Sequence, residues 1–427
     1  MARLLYTLLF YLLLPLVVLR LLWRSRKATE YCQRWGERFG FVPVVPVNQK
    51  VIWVHAVSVG ETLAAVPMIK ELQSQYPEHL LVVTTMTPTG SSRVKSVFGD
   101  SVYHVYAPYD LPDILARFFR AVHPDLLVIM ETELWPNLIH HCHIRDIPTV
   151  VANARLSEKS AKGYQRFSRL TAPMLQKLSC VAAQHQNDGA RFTTLGLSGT
   201  QLSVTGNIKF DVNLDDDVKT QAGLLKSHWQ GDMTRPIFLA ASTHRGEDRI
   251  ILDGFEQIRS HFPELLLVLV PRHPERFDEV AELCVQQGLS ICRRSSGGGM
   301  PSPGNQVLLG DTMGELLLFF GACDIAFVGG SLVPVGGHNL IEPAIWAVPV
   351  LSGPHLFNFS EASRLLRESQ GMVICEDANA IAEEVVALLQ DPQSATRMGN
   401  AAKSVADNNR GALDRLLAII EHQLFSH

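Results

Sequence analysis

A glycine-rich segment in the second half of the chain joins a strand pattern to a helix pattern. The apolar run Ile325–Val328 predicts a buried strand, and Gly336 and Gly337 follow it in a loop. A helical pattern then runs from Asn339 to Ala347 and contains Glu342. Glycines let the backbone approach a ligand closely, and the free N–H groups of a helix's first turn carry partial positive charge, so this junction favours a phosphate group. The alternative is a loop whose glycines only turn the chain.

The spacing of these glycines departs from the dinucleotide pattern Gly-x-Gly-x-x-Gly. No acidic residue closes a second strand pattern about twenty residues later, where NAD-binding proteins hold the ribose. NAD is therefore a poor candidate ligand. A nucleotide with one phosphate and one sugar fits better, with Glu342 within reach of the ribose.

In the first half, a carboxylate opens a helix directly after a strand pattern. Val51–Val54 predicts the strand, Ser58 and Gly60 open the helix, and Glu61 lies in its first turn. The helix dipole favours a carboxylate at this position and is expected to hold its pKa low. An ordinary helix-start glutamate and a catalytic glutamate both remain open at this point.

Two further strand patterns of the first half end in charged residues. Glu131 and Glu133 follow Leu126–Met130, where paired carboxylates suggest acid–base chemistry and helix capping is the alternative. Lys209 follows Gln201–Thr205 and could meet an anionic substrate.

Polar residues also follow two strand patterns of the second half. The segment Ser242–Glu247 is interpreted as a helix N-cap with a capping partner, which gives its polar side chains a structural role without a ligand. Arg272 and Arg276 follow the next strand pattern, beside the glycine loop. We interpret them as solvated cations that an anionic ligand visits.

The N-terminus is the membrane-like part of the 427-residue chain. Leu4–Leu19 is uncharged and apolar, and Arg20, Arg24, Arg26 and Lys27 follow it. This order of charges and the lack of a small-x-small cleavage site favour an uncleaved anchor over a signal peptide. Sixteen residues fall short of the roughly 20 that span a bilayer comfortably, so spanning and insertion into one leaflet both remain open.

Charge and cysteine content indicate the compartment. The first fifty residues hold eight Lys/Arg against two Asp/Glu, and the basic residues that follow the anchor predict that the body of the protein lies in the cytoplasm. Because the whole chain has 38 Lys/Arg and 42 Asp/Glu, the remainder of the chain is net acidic. Nucleic-acid binding is therefore disfavoured. The seven scattered cysteines lack Cys-x-x-Cys spacing and should stay reduced.

Apolar runs alternate with helical stretches through most of the chain, which predicts an α/β protein with two doubly wound, Rossmann-like parallel sheets. The polar stretch 213–235 interrupts the alternation and is interpreted as a linker. We expect an anchor over 1–27, a first domain over 28–212 and a second domain with C-terminal helices over 236–427. The predicted strands are Val51–Val54, Leu80–Thr85, Val102–Tyr106, Leu126–Met130, Thr149–Asn153, Cys180–Ala183, Gln201–Thr205, Ile237–Ala241, Leu265–Val270, Val307–Leu309, Ile325–Val328 and Val348–Leu351.

Six motifs in this order resemble the bacterial 3-deoxy-D-manno-octulosonic acid (Kdo) transferases. They are His55–Glu61, Glu131–Asn137, Gly206–Phe210, Ala241–His244, Pro271–Arg276 and Gly336–Pro343. The resemblance covers essentially the whole chain. It implies a GT-B glycosyltransferase fold, CMP-Kdo as donor, a lipid A precursor (lipid IVA) as acceptor, and lipopolysaccharide inner-core synthesis at the cytoplasmic face of the inner membrane.

The resemblance also implies roles for residues. Glu61 becomes the general base of an inverting transfer. The donor-binding set is Ser242, His244, Arg272, Gly336, Gly337, His338, Asn339 and Glu342. The acceptor- or anion-binding set is Ser58, Gly60, Arg93, Glu131, Lys209 and Arg276. A leaving phosphate stabilised by N–H groups, arginine and lysine does not require a divalent ion, so we expect no metal and no cofactor.

Two alternatives belong to other classes. One is another GT-B enzyme or epimerase that uses a UDP-sugar, whose second phosphate would need further contacts in the second domain. The other is a membrane-tethered, non-enzymatic nucleotide-binding protein, which would need Gly336 and Gly337 but not Glu61.

Overall fold

The computed structural model describes residues 1–26, 31, 33–212, 214–231, 235–296 and 301–426. The chain forms two compact units, one comprising Met1–Asp211 with Arg410–His427 and the other Val212–Asn409. Each unit contains a parallel sheet that has seven strands in the described residues, with helices between successive strands. The predicted α/β class and the two doubly wound sheets are confirmed.

The elements of the first unit alternate as a doubly wound sheet requires. Its strands are β1 (Lys50–His55), β2 (His79–Thr85), β3 (Tyr103–Tyr106), β4 (Leu126–Met130), β5 (Thr149–Ala154), β6 (Cys180–Ala183) and β7 (Leu202–Val204). Its helices are α1 (Ala2–Ser25), α2 (Trp35–Arg38), α3 (Val59–Gln75), α4 (Pro88–Phe98), α5 (Pro112–Val122), α6 (Pro136–His143), α7 (Glu158–Arg166), α8 (Ser168–Leu175), α9 (Gln186–Thr194) and, from the C-terminus, α18 (Ala412–Phe425).

The second unit repeats this alternation. Its strands are β8 (Ile237–Thr243), β9 (Leu266–Pro271), β10 (Ile291–Arg293), β11 (Val307–Leu309), β12 (Ile325–Val328), β13 (Val350–Ser352) and β14 (Met372–Ile374). Its helices are α10 (Asp216–Gln230), α11 (Glu247–Arg259), α12 (Phe277–Gln286), α13 (Leu316–Ala322), α14 (Ile341–Ile345), α15 (Ser360–Glu368), α16 (Ala378–Gln390) and α17 (Pro392–Asn408).

Both faces of the first sheet are buried, which explains its continuously apolar strands. On β1, Val51 and Trp53 contribute to the core on one face, whereas Ile52 and Val54 contribute to the core on the other. Successive side chains of a strand point to opposite faces of the sheet. A strand that is covered by helices on both faces therefore buries every side chain, so its sequence is apolar throughout. The switch from one core to the other along β1 follows from this geometry.

The C-terminal helix α18 belongs to the first unit, although the sequence assigned 236–427 to the second domain. Leu416 and Ile420 are fully buried in the core on one face of the first sheet. The carboxylate of Asp211 accepts hydrogen bonds from the backbone N–H groups of Gly411 (2.6 Å) and Leu413 (2.5 Å). An amphipathic pattern shows that a helix buries one face, but it does not show which sheet receives it.

The predicted linker 213–235 contains the helix α10, which belongs to the second unit. Trp229 is completely buried, and its ring centroid lies 5.2 Å from that of Phe319 on α13. Acidic residues in the first turn made this stretch resemble a solvated linker, although negative charge at a helix N-terminus is favourable. The linker interpretation was therefore wrong for Asp216–Gln230.

All twelve predicted strands are present, with ends that shift by up to two residues. The prediction missed β10 and β14, which are the two edge strands of the second sheet. Each is three residues long and only partly buried. Edge strands need little apolar surface, so their sequences carry a weak strand signal.

Candidate active site

Each sheet has a switch point where the chain reverses its winding direction. The strand order is β3-β2-β1-β4-β5-β6-β7 in the first sheet and β10-β11-β9-β8-β12-β13-β14 in the second. The switch points therefore lie between β1 and β4 and between β8 and β12. Ligands of open α/β sheets bind outside the carboxyl ends of the strands at such points.

Glu61 lies past the carboxyl end of β1 in a largely buried position. The residue is 6% exposed, and its carboxylate accepts hydrogen bonds from the Ser58 hydroxyl (2.6 Å) and the Val57 backbone N–H (2.7 Å). Burial raises the pKa of Glu61 from 4.5 to about 7, although both hydrogen bonds oppose the change. The expectation of a low pKa was wrong, because desolvation outweighs the favourable position at the helix start.

Two further carboxylates lie near Glu61, past the end of β4. Glu133 and Glu131 each contribute to the raised pKa of Glu61, Glu133 more strongly. Glu131 has a left-handed backbone (φ 54°), and its carboxylate oxygen lies 3.8 Å from the Lys209 ammonium. Glu133 accepts a hydrogen bond from the Trp135 indole (3.0 Å), and burial raises its pKa. The structure thus brings Glu61, Glu131 and Lys209 together as an acidic group with one cation.

Gly60 and Arg93 are exposed members of the predicted acceptor set. A Cβ added to Gly60 would meet only the Ser58 hydroxyl, at 3.8 Å, and Gly60 has no positive φ that would demand glycine. Arg93 lies on the exposed side of α4, and no contact with the carboxylate group is found among the described residues. Gly60 therefore leaves open space beside Ser58 and Glu61. The position of Arg93 adds no support to the prediction that this residue binds the acceptor or an anion.

In the second unit, residues that follow β8 and β12 meet at the switch point. The Nε2 atoms of His244 and His338 are 2.8 Å apart, and the two rings stack with a centroid separation of 5.1 Å. Burial lowers the pKa of both residues, in His338 to about 3. Both imidazoles are therefore neutral at pH 7, so one ring donates and the other accepts. Ser242, at the end of β8, is held at φ 57°.

The glycine loop folds around a backbone carbonyl. The carbonyl oxygen of Gly330 accepts from the N–H groups of Gly336 (3.1 Å) and Gly337 (2.7 Å), whose φ angles are 111° and 79°. A Cβ on Gly337 would lie 2.6 Å from the Leu356 side chain. These glycines are therefore required by the turn and by its packing, whatever ligand the loop binds.

The helix after the loop is shorter than predicted. The sequence pattern ran from Asn339 to Ala347, but α14 is a single turn, Ile341–Ile345. The Asn339 side chain accepts from the Ile341 N–H (3.0 Å) and donates to Glu342 (3.1 Å), so Asn339 precedes the helix. Burial raises the pKa of Glu342. One turn aligns few peptide dipoles, which weakens the helix-dipole part of the phosphate argument.

Glu247 holds the loop in place, a role that the sequence interpretation missed. Its fully buried carboxylate accepts four backbone N–H bonds of 2.7–2.8 Å, from His244, Gly330, Ser331 and Leu332. It thereby joins the segment after β8 to the segment after β12. A capping partner for His244 was foreseeable, but the other three donors are more than eighty residues away along the chain.

The two arginines after β9 have different environments. Arg272 is half-buried, and its positive charge adds to the effect of burial in lowering the pKa of His338 and partly offsets the effect of burial in raising the pKa of Glu342, which places it beside the histidine pair. Arg276 is buried, pairs with the Asp248 carboxylate and donates to the Thr243 carbonyl (2.9 Å). The expectation that Arg276 is a solvated cation was wrong, because a charge this deeply buried needs a permanent partner.

These two units define the class of the protein. The chain shares its fold with UDP-GlcNAc 2-epimerase from Neisseria meningitidis, with a TM-score of 0.57 at 15% identity over 88% of this chain and 100% of that one. Two parallel α/β sheets, each with polar residues at its switch point, are the GT-B architecture.

Sequence comparison then defines the family. Residues 33–212 match the family model described as 3-deoxy-D-manno-octulosonic-acid transferase (kdotransferase). The chain is 47% identical to the 3-deoxy-D-manno-octulosonic acid transferase of Haemophilus influenzae over 99% of both chains. It is 36% identical to that of Bordetella pertussis over 99% of this chain and 100% of the relative. The chain belongs to the 3-deoxy-D-manno-octulosonic acid transferases.

Proposed function

We propose that this chain transfers Kdo from CMP-Kdo to a lipid A precursor, lipid IVA, in lipopolysaccharide inner-core synthesis. For a member of the Kdo transferase family, the observation that carries the proposal is the environment of Glu61. Its buried carboxyl group has a pKa of about 7 beside the open space at Gly60. A general base acts best when its pKa lies near the working pH, and most structural carboxylates titrate far below it.

The proposed reaction has a single displacement step. An acceptor hydroxyl oxygen attacks the anomeric carbon of Kdo, and the Glu61 carboxylate takes the hydroxyl proton. A new C–O bond forms while the bond from the anomeric carbon to the phosphate oxygen breaks. CMP leaves from the opposite face with the bonding electrons, so the anomeric configuration is inverted.

The donor site is proposed at the switch point of the second sheet. The ring of the histidine pair that accepts at Nε2 keeps an Nδ1–H, and this group and the Arg272 guanidinium supply donors for the phosphate of CMP and the carboxylate of Kdo. Asn339 and Glu342 form a hydrogen-bonded pair that suits the ribose hydroxyls. Ser242, Gly336 and Gly337 shape the backbone around these side chains.

The acceptor site is proposed around Ser58, Gly60 and the carboxylate group past β4. Glu131 orients Lys209, whose ammonium group can reach an anionic group of the acceptor. Arg93 stays a candidate for an outer phosphate contact because it is exposed. Arg276 is no longer proposed, since its guanidinium is buried against Asp248.

We further propose that α1 holds the protein at the cytoplasmic face of the bacterial inner membrane. The helix is long and apolar enough to enter a bilayer, and Arg20 and Arg24 lie towards its C-terminal end. Basic residues next to a hydrophobic segment favour the cytoplasmic side. The acceptor is a lipid, so a membrane location brings the two together.

The test is product analysis. Purified protein is incubated with CMP-Kdo and tetra-acylated lipid A precursor, and the lipid products are measured by mass spectrometry. An increase by the mass of one or more Kdo residues is expected, with CMP released in equal amount. Calorimetry with CMP and UDP separates the rivals: preferential UDP binding favours a UDP-sugar enzyme, and CMP binding without transfer favours a non-enzymatic binding protein.

A further inference from the structure

One face of α1 is attached to the body of the first unit by polar contacts. The Arg3 guanidinium donates to the Asn137 side chain (2.9 Å), and the Thr7 hydroxyl lies 3.0–3.1 Å from both polar atoms of the same amide. The Tyr6 hydroxyl donates to the Asp110 carboxylate (3.0 Å). Asn137 and Asp110 are themselves buried, so these contacts hold the N-terminal half of α1 against folded protein.

The same face continues along the helix as an apolar contact. Phe10, Leu14 and Val17 pack on the buried cluster Tyr109, Leu111 and Ile114. Further along, Leu21 is only 8% exposed. From Arg3 to Leu21, at 1.5 Å per residue, the attached face is about 27 Å long. The body therefore accompanies α1 over almost its full length.

This attachment is incompatible with α1 crossing a bilayer alone. The hydrocarbon core is about 30 Å thick, so protein that accompanies the helix over about 27 Å would cross with it. Near the helix midpoint, the Tyr11 hydroxyl donates to Asp113 (2.5 Å), which pairs with Arg117 (3.0 Å). A half-exposed ion pair at the bilayer centre is strongly disfavoured.

The opposite face of α1 carries the apolar surface. Nine leucines on it are between 42% and 68% exposed: Leu4, Leu5, Leu8, Leu9, Leu12, Leu13, Leu16, Leu19 and Leu22. Arg20, Arg24 and Arg26 are exposed beside its C-terminal end. When this apolar face lies in the plane of the interface, the arginines at its end meet the headgroups of anionic lipids.

A basic segment of the body lies next to α1. α8 contacts α1 and α7 contacts α8. Residues 155–177 hold six Lys/Arg and a single acid, Glu158, and α7 has no buried residue. Phe167, between the two helices, is 69% exposed. This combination of positive charge and an exposed aromatic ring matches a surface of anionic headgroups.

We propose that α1 does not span the membrane but lies in the plane of one leaflet. Its leucine face enters the hydrocarbon edge, and its other face remains docked on the first unit. The basic segment 155–177 rests on the headgroups of the same leaflet. This inference rests on the membrane location proposed above and adds that both ends of α1 are cytoplasmic.

The test is cysteine accessibility in the full-length protein. Ala2→Cys and Ser25→Cys place a thiol at each end of α1, both at partly exposed positions. Each variant is treated with a membrane-impermeant maleimide in sealed inner-membrane vesicles of inverted and right-side-out orientation. The parent chain gives the background labelling of its own cysteines, and a melting temperature equal to that of the parent checks that α1 stays docked on the first unit in each variant.

Labelling of both variants in inverted vesicles, and of neither in right-side-out vesicles until detergent is added, is the expected result. Labelling of Ala2→Cys only in right-side-out vesicles would overturn the proposal, because α1 would then cross the bilayer. If the parent protein washes off the vesicles in low salt, the membrane location itself fails. If the protein stays on the vesicles in salt and the two ends of α1 are labelled from opposite sides of the membrane, only the in-plane arrangement is refuted.

Discussion

Replacing Glu61 by Gln separates a catalytic role from a structural one. Glutamine has nearly the same shape, can still accept the Val57 N–H bond and cannot take a proton from the acceptor. Loss of a general base lowers turnover by roughly 10²–10⁴. CMP affinity should be unchanged, since the proposed donor residues belong to the second unit.

The same variant, which should lower turnover, should increase the stability of the folded protein at alkaline pH. A pKa raised from 4.5 to about 7 means that the folded protein favours the protonated carboxyl. The stability from Glu61 is therefore full below pH 4.5 and is lost as pH rises through 7. At about 1.4 kcal/mol per pKa unit, ionised Glu61 costs about 3 kcal/mol at pH 8, which the neutral variant avoids.

The assay combines turnover with thermal melting at two pH values. We expect the Glu61→Gln protein to match the parent near pH 5 and to melt roughly 6 °C higher at pH 8, while transferring little Kdo. Glu71→Gln, an exposed change on the same helix, is the matched control. Unchanged turnover would refute the base assignment. A loss of stability that is equal at both pH values would show that Glu61 only caps α3.

Three further outcomes are expected. Gly60→Ala should leave melting unchanged or higher but raise the acceptor KM about tenfold, equivalent to about 1.4 kcal/mol; an unchanged KM would place the acceptor elsewhere. Glu247→Ala leaves four N–H groups without their acceptor and should weaken CMP binding more than about tenfold, at about 1–3 kcal/mol per unpaired group. Glu256→Ala, an exposed change on the same helix, should bind CMP as the parent does, and equal binding by both variants would argue against the loop role. Deleting residues 2–23 uncovers the Tyr109 cluster and should lower the melting temperature of the first unit while CMP still binds; unaltered melting would contradict the docking of α1.

The layered fold was predictable because its signals are local. A parallel strand covered on both faces must be continuously apolar, so β4, β6, β11 and β12 were identified to the residue. The rule that ligands bind past strand ends then pointed to Glu61, Glu131 and Arg272 from single segments, whereas His244 entered the donor-binding set only through the family resemblance. The edge strands β10 and β14 escaped because little of their surface is buried.

By itself, the sequence determined the two α/β domains, the apolar N-terminal segment, the family resemblance and the order of polar residues after the strands. Only the tertiary structure decided what surrounds each side chain. Burial raises the pKa of Glu61, Asp248 forms an ion pair with Arg276, and Glu247 accepts hydrogen bonds from a loop that is distant in the sequence. The assignment of α18 to the first sheet and the attached face of α1 are likewise tertiary. Desolvation and long-range hydrogen bonds depend on residues far apart in the chain, so no local pattern encodes them.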